Sequence, residues 1–347
     1  MRIAQVSPLY ESVPPQLYGG TERVVSYLTE ELVRQGHDVT LFASGDSHTG
    51  ARLISACDQA LRLAREGREP LALHFVQLDQ VLAEADAFDI IHFHIDYLHF
   101  PIFRRHPTAN VTTLHGRLDI EDLIPLYRRY QKVPLVSISD AQRAPLRWAG
   151  WQKTIYHGLP QDLLSYGDGS GGYLAFLGRI SAEKRLDHAI EIATRAGVKL
   201  KVAAKIDPAD RKYFRTQIEP LLDNPLVECI GEIDDCAKRE FLGNARALLF
   251  PIDWPEPFGL VLIEAMACGT PVIALRRGSV SELVDDGITG FVIDDLDQAV
   301  AAVGKIDGLD RRRCRHVFEQ RFTVERMSNE YVELYERLIR LRKNCSA

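Results

Sequence analysis

Residues 256–273, EPFGLVLIEAMACGTPVI, constrain the fold more than any other stretch of the chain. They follow the apolar run ALLFPI (247–252) and the break Asp253-Trp254-Pro255, and they end in a second apolar run, PVIAL. Short apolar runs bounded by Pro and Gly read as buried strands, and the segment between them as a helix. Strand, turn, helix and strand in one piece commit this region to an α/β fold with a parallel sheet. Pro257 or Phe258 is the expected first helical residue, Gly259 lets a ligand approach the first turn closely, and Cys268-Gly269 closes the helix.

The first turn of a helix leaves backbone N–H groups unpaired, which makes it a ready anion site. Glu256 stands ahead of that mouth, and Glu264 is ~9 Å along the axis past Phe258. A carboxylate on either side of an anion cradle suits a ligand with hydroxyls at both ends and a diphosphate between them. A nucleoside diphosphate sugar has that order of parts. The alternative is a capped core helix with two solvated glutamates. Glu264, however, is flanked by Ile263, Ala265 and Met266, a run too apolar to face water, and a buried carboxylate requires partners.

At 347 residues the chain is long enough for two domains, each with its own core. A formal net charge of −6 gives no reason to expect nucleic acid as a partner. Six cysteines with no CxxC pair read as free thiols in a reducing compartment. The opening MRIAQVSPLY reads as a strand and not as a secretion signal, and no apolar run approaches the ~18 residues of a membrane span. A soluble, cytoplasmic protein is expected.

In chain order, residues 2–8 read as a strand. Gly19-Gly20 then leads into a helix with apolar residues at 24, 25, 28, 32 and 33, capped by Thr21 and ended by Gly36. Adjacent glycines at a strand-to-helix turn serve either close ligand approach or a tight turn alone. Charged helical patches are expected near 58–68 and 75–86. The run DIIHFHIDYL reads as a strand whose alternation puts His92, His94 and Asp96 on one face. Those three could hold a metal, but packed, hydrogen-bonded polar residues near the ligand edge suit a parallel sheet better. Further strands are expected at 110–116, 134–139 and 154–159, the second ligand-edge histidine being His115.

GDGSGG (167–172) contains G-x-G but precedes a strand, so it fails as a dinucleotide fingerprint and reads as a flexible segment opening a second domain. Strands at 173–179, 199–206 and 227–233 then alternate with helices at 182–196, 208–222 and 235–246. SELVDDGITGFVIDD reads as a loop. In the final helix Val324, Met327, Tyr331, Leu334, Leu338 and Leu341 form a stripe that must be buried. The expected domains are 1–158, 159–325 and a terminal helix, 326–347, packing back on the first, with a ligand cleft between the two α/β halves.

Between the first strand and first helix of the second half stands GRISAEKR (178–185). Arg179 leaves the strand, and Lys184 falls in the first helical turn. Cations there oppose the helix dipole, so their placement suggests an anion between them, unless Glu183 and Asp187 simply balance them. Together, GRISAEKR, the 256–273 stretch, YGGTERVV, TLHG (113–116) and VDDGITGFV (284–292) resemble the retaining glycosyltransferases of family 4 over essentially the whole chain. The resemblance implies the GT-B fold of two facing Rossmann-like domains. It assigns the diphosphate to Arg179 and Lys184, with backbone N–H groups at Gly19-Gly20 and at Phe258, Gly259 and Leu260. It gives the ribose to Glu264, the transferred sugar to Glu256, the reaction centre to His115, and the base to the strand end around Ile230. Front-face displacement without metal or other cofactor is also implied. His94 and Asp96 are acceptor-side candidates.

The opening stretch, residues 6–47, is similar to a narrower group containing an antibiotic-tailoring glycosyltransferase and a pteridine glucosyltransferase. This implies a small or medium soluble acceptor. UDP and glucose are commonest among similar enzymes, so UDP-glucose is the expected donor, and basic residues interleaved with acids give no reason to expect membrane association. Three rival readings are a nicotinamide dehydrogenase, which lacks its fingerprint here, an epimerase or phosphorylase on the same fold, and a sugar-nucleotide sensor that transfers nothing.

Overall fold

A computed structural model describes residues 1–16, 19–63 and 69–346 of the protein. Tyr18 of the first glycine motif and residues 64–68 of the expected 58–68 helix lie outside the described residues. The chain forms two compact units, Met1–Pro160 with Val324–Ala347, and Gln161–Thr323.

The first unit is built on seven strands: β1 (Arg2–Val6), β2 (Asp38–Ala43), β3 (Arg52–Ser55), β4 (Ile90–Phe93), β5 (Ala109–Thr113), β6 (Leu135–Ser137) and β7 (Trp151–Thr154). Their order is β3-β2-β1-β4-β5-β6-β7, and every pairing is parallel. The order reverses between β1 and β4, and the carboxyl ends of strands at such a switch point are where open α/β sheets bind ligands. β4 and β5 are buried at every residue, and their polar side chains, His92, Asn110, Thr112 and Thr113, are all hydrogen-bonded.

Helix Gly20–Arg34 starts two residues earlier than a Thr21 cap would place it. Gly19 is its N-cap, without a side-chain cap. A Cβ on Gly19 would come within 2.8 Å of Pro15 Cβ, so packing demands glycine there. At the other end Gly36 takes φ 82, and the amides of Gly36 and His37 bond to Val33 and Leu32, a Schellman closure. The expected helix near 58–68 is absent from described residues 58–63, which form turns, and β3 was not expected. Helix Pro70–Ala83 replaces the segment expected near 75–86. β4 stops at Phe93, and Asp96 takes φ 51, so the alternation expected to align Asp96 with His92 and His94 fails. The strand expected at 154–159 lies earlier, at β7.

The terminal helix, Val324–Ser346, belongs to this unit. Val324, Met327, Tyr331, Leu334 and Leu338 are buried, while Leu341 at the distal end is exposed.

The second unit holds β8 (Tyr173–Arg179), β9 (Lys199–Lys205), β10 (Val227–Gly231), β11 (Ala247–Phe250), β12 (Val272–Leu275) and β13 (Gly290–Ile293), all parallel, in the order β10-β9-β8-β11-β12-β13. This is the doubly wound order, with its switch point between β8 and β11. β13 lies inside the segment read as a loop. Its glycine, Gly290, fits because a Cβ there would come 2.0 Å from Val272 O. The core joins Leu174, Phe176, Leu249 and Ile273 from strands to Leu186, Ile190 and Ala193 of helix Leu186–Ala196. Each such aliphatic side chain contributes roughly 1.5–3 kcal/mol on burial.

Two other expectations change here. GDGSGG is not a loose linker: the amides of Gly169 and Gly171 bond to the carbonyls of Gly243 and Asn244, and Gly167 N bonds to Cys268 O. A Cβ on Gly167 would meet Gly243 O at 2.3 Å, so glycine permits backbone-to-backbone contact rather than flexibility. The helix expected over 208–222 is broken into short 3-10, α and π turns, with Pro220 in the last of them.

Candidate functional site

In the second unit the 256–273 stretch folds as strand, turn, helix and strand, but the helix is Leu260–Ala267 and not one begun at Pro257 or Phe258. Gly259, in the left-handed region at φ 87, is its N-cap, and Phe258 is packed beneath it at 2% exposure. Cys268 and Gly269 close the helix as expected. Gly269 takes φ 73, and the Gly269 and Thr270 amides bond to Met266 and Ala265. At the opening end the amides of Gly259, Leu260 and Val261 have no protein acceptor among the described residues, as the geometry of a helix start dictates.

Both glutamates flanking this helix are buried, Glu256 at 8% and Glu264 at 5% exposure. Neither is solvated, which removes the plain capped-helix alternative. Glu256 Oε2 accepts from Lys184 Nζ and, at 2.9 Å, from Trp254 Nε1. Lys184 Nζ also lies over the rings of Trp254 (5.3 Å) and Phe250 (5.5 Å), so two aromatic faces and one carboxylate hold this cation at the end of β11. Gly278 and Ser279 fix the turn from the other side. Ser279 N bonds to Glu256 O and Ser279 Oγ to Phe258 O.

Lys184 does not sit in an α-helical first turn. It ends a 3-10 turn, Ala182–Lys184, and Arg185 at φ 52 separates that turn from helix Leu186–Ala196. Arg179 leaves β8 where the motif places it. Its guanidinium faces Glu183 (2.5 Å), Asp207 (3.5 Å) and Asp210 (3.6 Å), whereas Asp187, the other carboxylate expected to balance the motif, pairs with Arg185 (2.7 Å). Ile230 is the bulged residue of edge strand β10 and is 40% exposed. An exposed apolar side chain at a strand end is available to a planar ring.

Sequence reasoning missed Lys238. It stands on helix Asp235–Gly243, and its Nζ lies 2.7 Å from Glu264 Oε1. Lys238, Phe241 and Leu242 are all buried on that helix at i, i+3 and i+4. A lysine on an apolar stripe was the available signal. Trp254 and Gly278 were also missed, having no motif of their own.

In the first unit, Gly19 and Gly20 stand past β1 at the start of helix Gly20–Arg34. His94 follows β4, and His115 follows β5. The structure brings these two together: His94 Nδ1 is 2.9 Å from His115 Nε2, and the His115 ring stacks on His157 at 5.3 Å between centroids. Burial pulls the His115 pKa down to about 3 and that of His94 well below the usual imidazole range, so both are neutral at pH 7. Asp96 is not joined to this pair by any hydrogen bond and is exposed. Both ring nitrogens of His92 and of His94 are engaged by protein partners. Among the described residues no group of three or more His, Cys, Asp or Glu side chains is arranged to hold a metal ion, and no helix is long and apolar enough to cross a membrane.

Comparison with known proteins gives concordant matches. Residues 168–316 match the family model described as glycosyl transferases group 1, and residues 18–156 the model described as glycosyltransferase family 4. The phosphatidyl-myo-inositol mannosyltransferase of Mycolicibacterium smegmatis is 26% identical over 378 residues, spanning 97% of this chain and 94% of that protein. Several other curated relatives, among them the D-inositol 3-phosphate glycosyltransferase of Thermobifida fusca, are matched over less than half of their own length. Among solved structures, AviGT4, a glycosyltransferase involved in avilamycin A biosynthesis, superposes with a TM-score of 0.71 at 25% identity, covering 97% of this chain and 98% of that one. The Anabaena protein HepE, crystallised with UDP and glucose, gives 0.74 at 17% identity, covering 97% and 99%. HepE shares the fold of two parallel-sheet Rossmann-like units. With one family domain in each unit, and with the motifs of both halves at their sheets' switch points, the chain belongs to the family 4 glycosyltransferases of the GT-B fold.

Proposed function

We propose that this protein transfers a hexose, with retention of configuration and without a metal ion, from a nucleoside diphosphate sugar to a hydroxyl of a small or medium soluble acceptor. The donor is a UDP-sugar, glucose being the first to test. The observation that carries this reading is the part-buried Lys184–Glu256 pair beside the unpaired amides of Gly259, Leu260 and Val261. It sets a cation and a helix start next to a carboxylate, which is what a sugar diphosphate needs at adjoining positions.

Breaking the anomeric C–O bond leaves the electron pair on the diphosphate oxygen and an oxocarbenium-like sugar. Lys184, Arg179 and the helix amides attract the leaving group more strongly as its charge grows, so they lower the barrier. Glu256 accepts hydrogen bonds from hydroxyls of the transferred sugar. Glu264 does the same for the ribose through Oε2, since Oε1 is taken by Lys238. Ile230 packs against the base, and the Gly19-Gly20 amides assist the diphosphate. On the acceptor side, His94 and His115 are the candidates. In a front-face displacement the leaving phosphate oxygen takes the acceptor hydroxyl proton, so no protein nucleophile is required.

The test is a thermal-shift panel of UDP, GDP, ADP and their sugar conjugates, run with EDTA. A ligand at one hundred times its Kd stabilises by about 2.7 kcal/mol. Stabilisation by UDP and UDP-glucose in EDTA is the expected result. No response to any nucleotide overturns the reading, and a response that EDTA abolishes overturns metal independence.

A further inference from the structure

Seven side chains of the first unit form one unbroken hydrogen-bonded chain ending at His115. Tyr331 Oη and Thr113 Oγ1 are 2.8 Å apart, and Thr113 Oγ1 is 2.7 Å from His92 Nε2. His92 Nδ1 is 2.7 Å from Tyr335 Oη, and Gln5 Nε2 donates to the same oxygen at 3.2 Å. Gln5 Oε1 is 2.8 Å from His94 Nε2, and His94 Nδ1 is 2.9 Å from His115 Nε2. All but His115 are buried. His115 Nδ1 is itself a buried atom with no partner among the described residues.

Counting protons along this chain fixes the state of its end. A carboxamide has one end that only accepts and one that only donates. Gln5 turns its oxygen to His94, so His94 Nε2 carries the proton. Burial keeps His94 neutral, so its Nδ1 is bare and accepts from His115 Nε2–H. His115 is neutral too, which leaves its Nδ1 as a bare lone pair. On the other side Gln5 Nε2 donates to Tyr335, whose own proton goes to His92 Nδ1. His92 Nε2–H then donates to Thr113. Turning the amide over would reverse each of these bonds and put a proton on His115 Nδ1.

We propose that Gln5 is a positioning residue, which acts through His94 to make His115 donate from Nε2 and present Nδ1 as the acceptor for a sugar hydroxyl. This rests on the reading of His115 as part of the sugar site. A bare nitrogen draws the hydroxyl proton towards itself and leaves the oxygen richer in electrons, whereas an N–H would do the opposite. His115 is too weak a base to take the proton outright, so its role is to orient and polarise. A buried acceptor without a partner costs stability, and a ligand hydroxyl would satisfy it.

The experiment is 15N-histidine labelling with two-bond 1H–15N correlation spectra, the His115 signals being assigned with His115→Asn. The wild type is expected to hold the His115 proton on Nε2. Gln5→Leu, which removes the acceptor, should spread that proton over both ring nitrogens, and so should Tyr335→Phe, which frees the Gln5 amide to turn. A wild-type proton on Nδ1, or a pattern unmoved by both substitutions, overturns the inference. These spectra need no ligand, so they fail or succeed apart from the reading of the site. Calorimetric titration adds the functional arm: Gln5→Leu should weaken UDP-glucose about tenfold while leaving UDP unchanged. Equal weakening of both overturns the positioning role. A wild type that binds neither overturns the sugar-site reading instead.

Discussion

Lys238 Nζ lies 2.7 Å from Glu264 Oε1, and the two side chains are only 11% and 6% exposed. Removing one member of such a pair leaves the other charge buried, at a cost of roughly 3–5 kcal/mol. Lys238→Met should therefore lower stability to urea by about 3 kcal/mol. The double variant Lys238→Met/Glu264→Leu should recover most of the loss, because no buried charge remains. A single substitution costing under about 1 kcal/mol would show the pair to be solvated. Nucleotide affinity separates the two residues further. Glu264→Ala removes the proposed ribose acceptor and should weaken UDP itself.

Gly278 sets a second constraint on the same turn. It takes φ +53, and a Cβ there would lie 2.2 Å from Glu256 O and 2.4 Å from Glu256 N. Gly278→Ala must push the Glu256 backbone aside as well as adopt a strained conformation, a cost of about 1–3 kcal/mol. Gly287→Ala is the matched control: its φ is +73, but nothing lies within 4 Å. The Gly287 variant should lose about 1 kcal/mol and bind normally. The Gly278 variant should lose affinity for the sugar conjugate and keep it for UDP, and equal behaviour of the two would show that Glu256 does not hold the sugar.

The parts legible in the sequence were those governed by local rules. Gly36 and Gly269 end their helices because only a left-handed residue allows the Schellman bonds, and that demand is written in two or three consecutive residues. Buried parallel strands such as ALLF and VIAL are legible because neither face needs polar residues. Features set by distant partners were not. GDGSGG looks flexible until residues 243–244 lie against it. Lys238 shows its burial in the apolar stripe it shares, but not its partner Glu264, 26 residues further on. Likewise, β13 is only four residues long and gains its edge position from β12. Lys184 fell outside the α-helix because Arg185 adopts a conformation that nothing in GRISAEKR announces.

The first unit also carries an acid sensitivity. His92, His94, His99 and His157 are fully buried, and burial holds each well below the usual imidazole pKa. Unfolded, each would take up a proton near pH 6.5. Below that pH the unfolded state binds more protons, so the stability these residues contribute is present above 6.5 and is lost as pH falls. Glu22 acts in the opposite sense. Burial, with the Glu11 charge adding to it, raises its pKa to about 7, so the folded state binds that proton first as pH falls from 7. His115, with its pKa lowered to about 3, makes a fifth such imidazole, and five less one carboxyl leave four, about 5 kcal/mol per pH unit between pH 6 and 5. All six groups belong to the first unit. Calorimetry between pH 7 and 5 should show its transition falling ahead of the other's, and two transitions falling in parallel would contradict this.

Lys184 gives the sharpest separation of binding from chemistry. Its Nζ is held by Glu256, Trp254 and Phe250, and the charge it faces in the proposed reaction grows as the diphosphate leaves. An interaction that strengthens in the transition state appears in kcat more than in affinity. Lys184→Ala should lower kcat by about 100-fold, the loss seen when one preorganised donor is removed from a developing anion. Affinity for the intact donor should fall much less. The substitution also leaves Glu256 buried with only Trp254 Nε1 as side-chain donor among the described residues, so melting temperature must be followed and rates measured well below it. A kcat that survives the substitution would remove Lys184 from the clamp. An affinity loss equal to the kcat loss would instead mean that Lys184 grips the ground state and does nothing particular for bond breaking.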